Sequence, residues 1–389
     1  YRRDLKYGGI FVSTKLKSLL ALSSSALILA ACQGQDAGNA DGGADDTAQT
    51  EDVVDQGADD ATNESTDGEA GGSGSVGSED ADFAIAMVTD EGGVDDRSFN
   101  QSAWEGMQAW SEETGGRAEY FQSTNSADYI PNFQQAATQD FDIIYGIGFQ
   151  LEDAVSDMAA SNPEQHFGIV DSVVEADNVV SLNFADHEAA FLAGAAAALT
   201  TEKDQIGFIG GIESPIIDRF ETGFLAGVEE INPDIDVDVQ YADSFSDAAA
   251  GQQIANGMYT AGADVIYHAA GAVGNGLFNE TRNRLESNPD EQLWAIGVDR
   301  DQEDEGEWDG GNFVLTSTLK QVGTAIQLAT EHAKNEGFPG GESIQYGLKN
   351  DGVDLVQGNL SDEAWAKIQE LRQQIIDGEL EVPEFSREW

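Results

Sequence analysis

The sequence predicts an α/β protein of two Rossmann-like lobes, each a parallel sheet with helices on both faces. Two observations lead to this fold class. From residue 83 onward, short runs rich in β-branched and aromatic residues alternate with amphipathic segments of helical length, which is typical of parallel βαβ units. The alternation then repeats from about residue 205, and this repetition indicates a second sheet.

The first run begins with the apolar stretch Phe-Ala-Ile-Ala-Met-Val at 83–88, which has the length and composition of a buried strand. In the helix predicted over 98–114, Phe99, Ala103, Met107 and Trp110 share one face. The same alternation continues with strand 118–121, helix 128–138, strand 142–145, helix 151–160, strands 166–170 and 179–182, and the small-residue helix 189–199.

The second run and a short tail complete the predicted fold. The second run comprises strand 205–209, helix 216–231, strand 237–241, helix 248–259, strand 265–268, helix 274–287 and strand 294–298. The tail comprises strand 313–316, helix 319–335, strands 344–348 and 353–357, and helix 363–377. It is too short for a third domain. We therefore expect residues 83–186 with 317–343 to form the first lobe and residues 187–316 with 344–389 the second.

Residues 1–31 have the pattern of a removable signal segment. Lys15 and Lys17 precede an apolar run over 19–31 that ends in small residues directly before Cys32, and this order is typical of secretory signals. A membrane-spanning helix needs about 20 apolar residues, so a short transmembrane anchor is the weaker alternative. The pattern resembles the lipobox of bacterial lipoproteins, which implies a lipid on Cys32 and a location on the extracytoplasmic face of the cell membrane.

The acidic residues divide the chain into a tether and a folded part. Residues 33–82 contain 15 acidic and no basic residues, so we expect 32–82 to be a disordered tether that begins at the lipidated cysteine. Residues 83–389 contain 57 acidic and 13 basic residues, a net formal charge of −44. This charge argues against a nucleic acid partner, which needs a basic face. It also suggests a halophilic source, because salt would screen the self-repulsion.

Residues 89–101, Thr-Asp-Glu-Gly-Gly-Val-Asp-Asp-Arg-Ser-Phe-Asn-Gln, follow the first strand and open the first helix. Ligands of open parallel sheets bind beyond the carboxyl ends of strands. This segment strongly resembles the basic membrane protein family, the purine-nucleoside-binding lipoproteins that serve ABC importers. The resemblance spans essentially all of 83–389 and implies a type I periplasmic-binding-protein architecture with hinge crossovers. Further matching segments are 146–149, 170–171, 219–228, 269–276, 297–302 and 316–320.

The resemblance implies a purine nucleoside as ligand, and we expect no cofactor and no metal. Aromatic rings stack on bases, and carboxylates accept strong hydrogen bonds from hydroxyl and N–H groups. A facing aromatic wall is expected at Tyr267 or His268. The implied roles are a stacking wall for Phe99, a nearby hydrogen bond for Asn100, base or pocket-edge contacts for Asp90 and Asp171, the ribose diol for Asp299, the sugar for Lys320, and close backbone approach at Gly271.

Each of these residues also has an ordinary structural interpretation. Phe99 lies on an apolar helix face, where a core role is common, and Asp90 and Asp96 could be turn or cap residues. Asp299 is one acidic residue among many. Lys320 stands out because basic residues are scarce in this part of the chain.

The leading hypothesis is a solute receptor whose closed form docks on the permease of an ABC transporter. A receptor of the same fold for a sugar or another small molecule is the alternative within that class. A secreted nucleoside hydrolase would need a positioned nucleophile or a metal, and the four histidines show no such constellation, so we predict that the chain is not an enzyme. A ligand-sensing regulator is a further alternative, and the predicted signal segment argues against it. The acidic charge further predicts nucleosides rather than nucleotides as ligands.

Overall fold

The computed structural model describes residues 72–387 and 389. The predicted signal segment 1–31, the lipidation site Cys32 and most of the predicted tether lie outside the described residues. Within them, no helix is both long enough and apolar enough to span a membrane.

The strands belong to two large sheets and one short hairpin. Most are buried along their length, as the apolar runs of the sequence predict, and β2 is buried at every position. In chain order the described strands are β1 (Ser73–Val76), β2 (Ala84–Val88), β3 (Arg117–Phe121), β4 (Ile143–Ile147), β5 (His166–Val170), β6 (Val179–Phe184), β7 (Gln205–Gly210), β8 (Asp236–Tyr241), β9 (Val265–Ala269), β10 (Trp294–Gly297), β11 (Glu307–Trp308), β12 (Gly311–Asn312), β13 (Val314–Lys320), β14 (Ser343–Tyr346) and β15 (Val353–Leu355).

The helices alternate with these strands. Their ends carry the expected signals: Pro215 lies in the first turn of α5, where the Ser214 hydroxyl accepts a hydrogen bond from the Ile217 N–H, and Gly115 ends α1 in the left-handed region. The described helices are α1 (Phe99–Thr114), α2 (Tyr129–Ala136), α3 (Glu152–Ser161), α4 (Asp186–Thr200), α5 (Pro215–Ile231), α6 (Ala248–Ala261), α7 (Gly274–Ser287), α8 (Val322–Asn335) and α9 (Asp362–Ile376).

The first sheet has the order β1-β3-β2-β4-β5-β6-β14, and all its pairs are parallel except β1 with β3. The predicted tether extended to residue 82, and this was wrong for residues 73–76, because they form strand β1. Residues 73–76 are only partly covered, so backbone pairing at the sheet edge orders them rather than side-chain burial. Amino-acid composition indicates which segments can be buried but not which are held by backbone pairing, so the prediction from composition missed this strand.

The second sheet has the order β15-β13-β10-β9-β7-β8, parallel except for β13 with β15. Helices cover both faces of each sheet. One group of buried side chains fills the space under α2 and α3, another lies under α6 and α7, and a third joins the opposite faces of both sheets to α1, α8, α4, α5 and α9. The predicted fold class is therefore confirmed: the protein consists of two mostly parallel α/β lobes.

The chain passes between the sheets after β6, after β13 and after β14. Two details differ from the predicted lobe boundaries. Strand β14 pairs with β6 in the first sheet, because helix α8 before it packs on α1 of the first lobe. Residues 317–320 remain in β13 of the second sheet, where pairing with both β10 and β15 holds them extended. The helix predicted from residue 319 accordingly begins at Val322.

Candidate functional site

A cavity lies between the two sheets, beyond the carboxyl ends of their strands, with about 530 Å³ of empty space that includes open solvent at its mouth. Its walls come from both lobes, as expected for open parallel sheets. The lining residues are Asp90, Gly92, Asp96, Phe99, Asn100, Gly148, Phe149 and Asp171 from the first sheet and its loops, and Ile216, Ile217, Phe220, Phe245, Ala269, Ala270, Gly271, Val298, Asp299 and Lys320 from the second.

The first lobe contributes a hydrogen-bonded cluster of Asp90, Asp96 and Asn100. The Asn100 side-chain amide donates to Asp90 Oδ1 at 2.7 Å and to Asp96 Oδ2 at 3.0 Å. Asp96 also accepts the backbone N–H groups of Ser98, Asn100 and Gln101, so it caps α1 and fixes the loop before it. With both its donors used, the Asn100 amide is fixed in orientation, and its buried Oδ1 accepts no hydrogen bond from any described residue.

Burial raises the pKa of Asp90 to about 7, although hydrogen bonds from the Gly92 N–H and the Asn100 amide oppose the shift. Gly148 lies against this carboxyl group with φ of 109°, and a Cβ there would be 3.4 Å from both Asp90 Oδ2 and Phe99 Cε1. The backbone conformation at this position therefore favours glycine, whereas the space beside the pocket would admit a Cβ in ordinary contact.

Lys320 forms the charged centre of the pocket. Its Nζ donates to Asp171 Oδ2 at 2.6 Å and lies 3.0 Å from Asp186 Oδ1. All three side chains are at most 5% exposed. Burial disfavours the charged ammonium, but the carboxylates of Asp171, Asp186 and Asp299 outweigh it and raise the pKa of Lys320 to about 12. Burial raises the pKa of Asp171 to about 6 despite the attraction of Lys320. Asp171 Oδ1 is buried and accepts no hydrogen bond from any residue in the described ranges.

Asp299 closes the polar part of the pocket from the second lobe. Its Oδ2 accepts a hydrogen bond from the Ser98 hydroxyl of the first lobe. Burial raises its pKa to about 7, against the opposing effects of Lys320 and Ser98. Asp171 and Asp299 both have positive φ, 64° and 68°. This conformation is uncommon for residues other than glycine, and aspartate tolerates it better than most. Directly beyond β5 and β10, it lets the two carboxylates turn off their strands into the cavity.

Aromatic rings form the apolar walls. Phe99 and Phe149 come from the first lobe, and Phe220 and Phe245 from the second. The rings of Phe149 and Phe245 meet edge to face across the cavity, with centroids 6.1 Å apart. The Phe99 and Phe220 rings lie beside Lys320, whose Nζ is 5.2 Å and 5.6 Å from their centroids. Phe99 also packs on the core, so it has the ordinary structural role and lines the pocket as well.

The structure brings together seven of the nine residues singled out from the sequence: Asp90, Phe99, Asn100, Asp171, Gly271, Asp299 and Lys320. Neither candidate for the facing aromatic lines the cavity. Tyr267 packs against Phe208 and Phe224, with its hydroxyl 3.0 Å from Thr318 Oγ1. His268 lies 3.2 Å from Gln302 Oε1, and burial lowers its pKa to about 4. Both residues are inside β9, where side chains point to the faces of the sheet and not beyond its end.

Sequence reasoning missed Phe149, Phe220, Phe245 and Asp186. Phe149 and Phe220 lie in segments that already matched the family, so their aromatic character was a usable signal. Phe245 follows β8 by four residues, and the strand-end rule alone could have found it. Asp186 begins α4, where an acidic residue is ordinary, and nothing in the sequence pairs it with Lys320.

Two ion pairs join the lobes at the rim of the cavity. Arg97 Nη1 lies 2.5 Å from Glu305 Oε2, and Arg300 Nη2 lies 3.3 Å from Glu105 Oε1. Beside them, the Gln302 amide donates to the Arg97 carbonyl at 2.8 Å. The lobes are therefore in direct contact around the pocket as well as at the crossovers.

Comparisons with known proteins agree with this architecture. A family model described as ABC transporter substrate-binding protein, PnrA-like, matches residues 83–386. The CD4+ T-cell-stimulating antigen of Listeria monocytogenes is 48% identical over 316 residues, covering 78% of this chain and 88% of that protein. The ABC transporter nucleoside-binding protein BmpA of Lactococcus lactis is 48% identical over 322 residues, 80% of this chain and 92% of that protein. A solute-binding protein structure of an Aeropyrum pernix ABC transporter superposes with a TM-score of 0.69 at 25% identity, covering 78% of this chain and 94% of that chain.

Proposed function

The chain belongs to the PnrA-like family of ABC transporter substrate-binding proteins, and from that premise we propose that it captures purine nucleosides between its lobes and delivers them to the permease of an ABC importer. One observation carries the choice of ligand: the residues that line the cavity include both aromatic rings and side chains with a buried, unpartnered acceptor oxygen. A purine presents flat π-faces to the rings, and its N–H groups and the ribose hydroxyls are donors. A relative named as nucleoside-binding supports the proposal.

The hydrogen-bond inventory suggests how a nucleoside lies. Asn100 Oδ1 and Asp171 Oδ1 are acceptors without a partner among the described residues, and leaving such groups buried and unpaired costs about 1–3 kcal/mol each. A base amino or ring N–H group near Asp90 and Asn100 would satisfy one of them. The ribose diol would then lie near Asp299 and Lys320, and the base would stack between Phe99 and Phe245, which replaces Tyr267 and His268 as the proposed second wall.

The charges in the pocket favour neutral ligands over anionic ones. The cavity lining includes the carboxyl groups of Asp90, Asp96, Asp171 and Asp299 and one ammonium, that of Lys320. That ammonium is already paired with two carboxylates. A phosphate group brought into this cavity would meet like charge at low dielectric. We therefore expect nucleosides to bind and the corresponding nucleotides to be rejected.

Calorimetric titration of the full chain in high salt tests the proposal. The panel contains guanosine, inosine, adenosine, the free bases, the monophosphates and simple sugars. We expect nucleosides to bind and monophosphates to bind at least tenfold more weakly. Binding of a sugar but no nucleoside would favour the alternative receptor, and release of base from inosine on prolonged incubation would indicate a hydrolase.

We also propose that Cys32 carries a lipid that anchors the receptor at the extracytoplasmic face of the membrane. The support is the signal pattern before Cys32 and the family assignment. Substitution Cys32→Ala should abolish fatty-acid labelling and release the chain from membranes, while nucleoside affinity stays unchanged. Continued labelling of this variant would contradict the anchor.

A further inference from the structure

Asp186, the first residue of α4, is a buried carboxylate in an unusual state. Its side chain is fully inaccessible to solvent and lies 3.0 Å from Lys320 Nζ. No described residue makes a hydrogen bond of regular geometry to either of its oxygens. Buried polar groups nearly always have hydrogen-bond partners, so this exception calls for an explanation.

The surroundings of Lys320 supply a reason for a second carboxylate. An ammonium has three donors, and the hydrogen bond to Asp171 at 2.6 Å uses one of them. The rings of Phe99, Phe184 and Phe220 lie 5.1–5.6 Å from Nζ. Lys320 is therefore enclosed by three rings and two carboxylates, of which Asp171 lines the cavity and Asp186 does not.

A nucleoside that donates to Asp171 Oδ2 or accepts from Lys320 Nζ competes with the hydrogen bond between these two side chains. If Asp171 were the sole counter-charge of Lys320, turning the ammonium toward a ligand oxygen would break a buried ion pair, which is costly at low dielectric. With Asp186 also 3.0 Å from Nζ, the ammonium stays paired while it turns. Burial raises the pKa of Asp186, and the charge of Lys320 and the N-terminus of α4 oppose this shift in favour of the ionised form.

We propose that Asp186 is a positioning residue that holds the Lys320 ammonium while Asp171 and Lys320 exchange their mutual hydrogen bond for bonds to the nucleoside. The inference rests on the proposed function, since it concerns the same pocket. It assigns the carboxylate of Asp171, which lines the cavity, to the ligand, and the carboxylate of Asp186, which does not, to Lys320.

The test compares Asp186→Asn, which keeps the size of the side chain and removes its charge, with Asp264→Asn. Asp264 is also a buried carboxylate of the second lobe, but it binds the Thr201 hydroxyl and the backbone of Glu202 and Lys203, and it does not line the cavity. We expect Asp186→Asn to weaken nucleoside binding at least tenfold in calorimetry and Asp264→Asn to change it less than twofold. Equal affinity of Asp186→Asn and wild type would overturn the proposal.

A second measurement does not depend on a ligand. The titration of Lys320 is followed by NMR of ¹³C-labelled lysine, with its resonance assigned by Lys320→Arg. The charged groups that act on the Lys320 and Asp171 pair are Asp186, Asp299 and Arg219. We expect Asp186→Asn to lower the pKa of Lys320, and an unchanged titration would refute the pairing. If wild type binds no nucleoside, the proposed function fails, and this titration still decides whether Asp186 holds Lys320.

Discussion

The charges in the pocket and the charges at its rim are the same kinds of residue in opposite surroundings. In the pocket, Lys320 Nζ lies 2.6 Å from Asp171 Oδ2 and 3.0 Å from Asp186 Oδ1, and all three side chains are at most 5% exposed. At the rim, the Arg97 side chain is 56% exposed and its partner Glu305 21%, and Arg300 and Glu105 are 29% and 47% exposed. Both sets link the two lobes.

This difference in burial indicates which ion pairs determine the stability of the fold and which mainly adjust how the two lobes close on each other. A buried pair is weakly screened, and removing one member leaves the other charge stranded at low dielectric. An exposed pair is screened by salt, and water replaces a lost partner. By number alone, the ion pairs at the rim and in the pocket would be expected to stabilise the protein equally. Their difference in burial predicts that the pocket pairs affect the free energy of unfolding several-fold more.

The largest effect is expected from Lys320→Met, which leaves the buried carboxylates of Asp171 and Asp186 without their counter-charge. We expect the free energy of unfolding to fall by about 3–5 kcal/mol at pH 8. The loss should be smaller at pH 5, because these carboxyl groups, whose pKa burial already raises, then take up protons. Urea unfolding at both pH values measures this, with the exposed Lys349→Met as control. A loss equal to that of the control would show that the buried cluster does not stabilise the fold.

The next effect concerns Asp90 and the pH dependence of stability. Burial raises its pKa from the ordinary 3.8 to about 7 in the folded protein, so the folded state binds more protons than the unfolded state between these values. The free energy of unfolding should therefore decrease as pH rises from about 4 to about 7, by up to about 1.4 kcal/mol per pH unit from this group. Asp90→Asn should flatten the profile measured by urea unfolding, whereas the exposed Asp290→Asn should leave it unchanged.

A smaller effect is expected where aromatic stacking, rather than charge, joins the lobes to the ligand. Phe245→Ala should weaken nucleoside affinity by about 1–3 kcal/mol, because stacking on a base contributes about that much. Phe245→Leu keeps apolar bulk without the π-face, so calorimetry on the two variants separates stacking from burial. If both variants bind as wild type does, Phe245 is not the second wall.

The smallest effect is expected at the rim. Arg97→Gln should weaken nucleoside affinity by less than about 1 kcal/mol at low salt, and by less still in molar salt, where exposed pairs are screened. A double-mutant cycle with Glu305→Gln isolates the pair and is read out by calorimetry at both salt concentrations. A coupling energy as large as that of the Lys320 cluster would remove the distinction between pocket and rim.

Much of the fold could be predicted because hydrophobic periodicity records which faces are buried. The alternation of strands and helices led to the two sheets, and each predicted strand has a counterpart in the structure. Pairing with distant partners leaves no such record. Strand β1 is held by β3, and β14 by β6, so composition placed residues 73–76 in a tether and chain order placed residues 344–346 in the second lobe.

The candidate site shows the same limit. Residues beyond strand ends, such as Asp90, Asp171 and Asp299, were found because the strand-end rule and the family pattern coincide there. The second wall was sought inside β9, where side chains belong to the sheet faces, and Phe245 was overlooked in a loop. Asp186 could not be found from its surroundings in the sequence, because its significance is its 3.0 Å distance from Lys320, 134 positions later.

The three passages of the chain between the sheets also bear on the order in which the protein folds. The first lobe includes β14, and its helix α1 packs on α8, so residues 322–346 are needed before that lobe is complete. Such long-range pairings slow folding, and they leave apolar surface uncovered in chains that lack the later segment. The lobe that is synthesised first must therefore wait for residues made long after the second lobe has begun, and a chain that stops before α8 will expose the face of α1 that α8 covers.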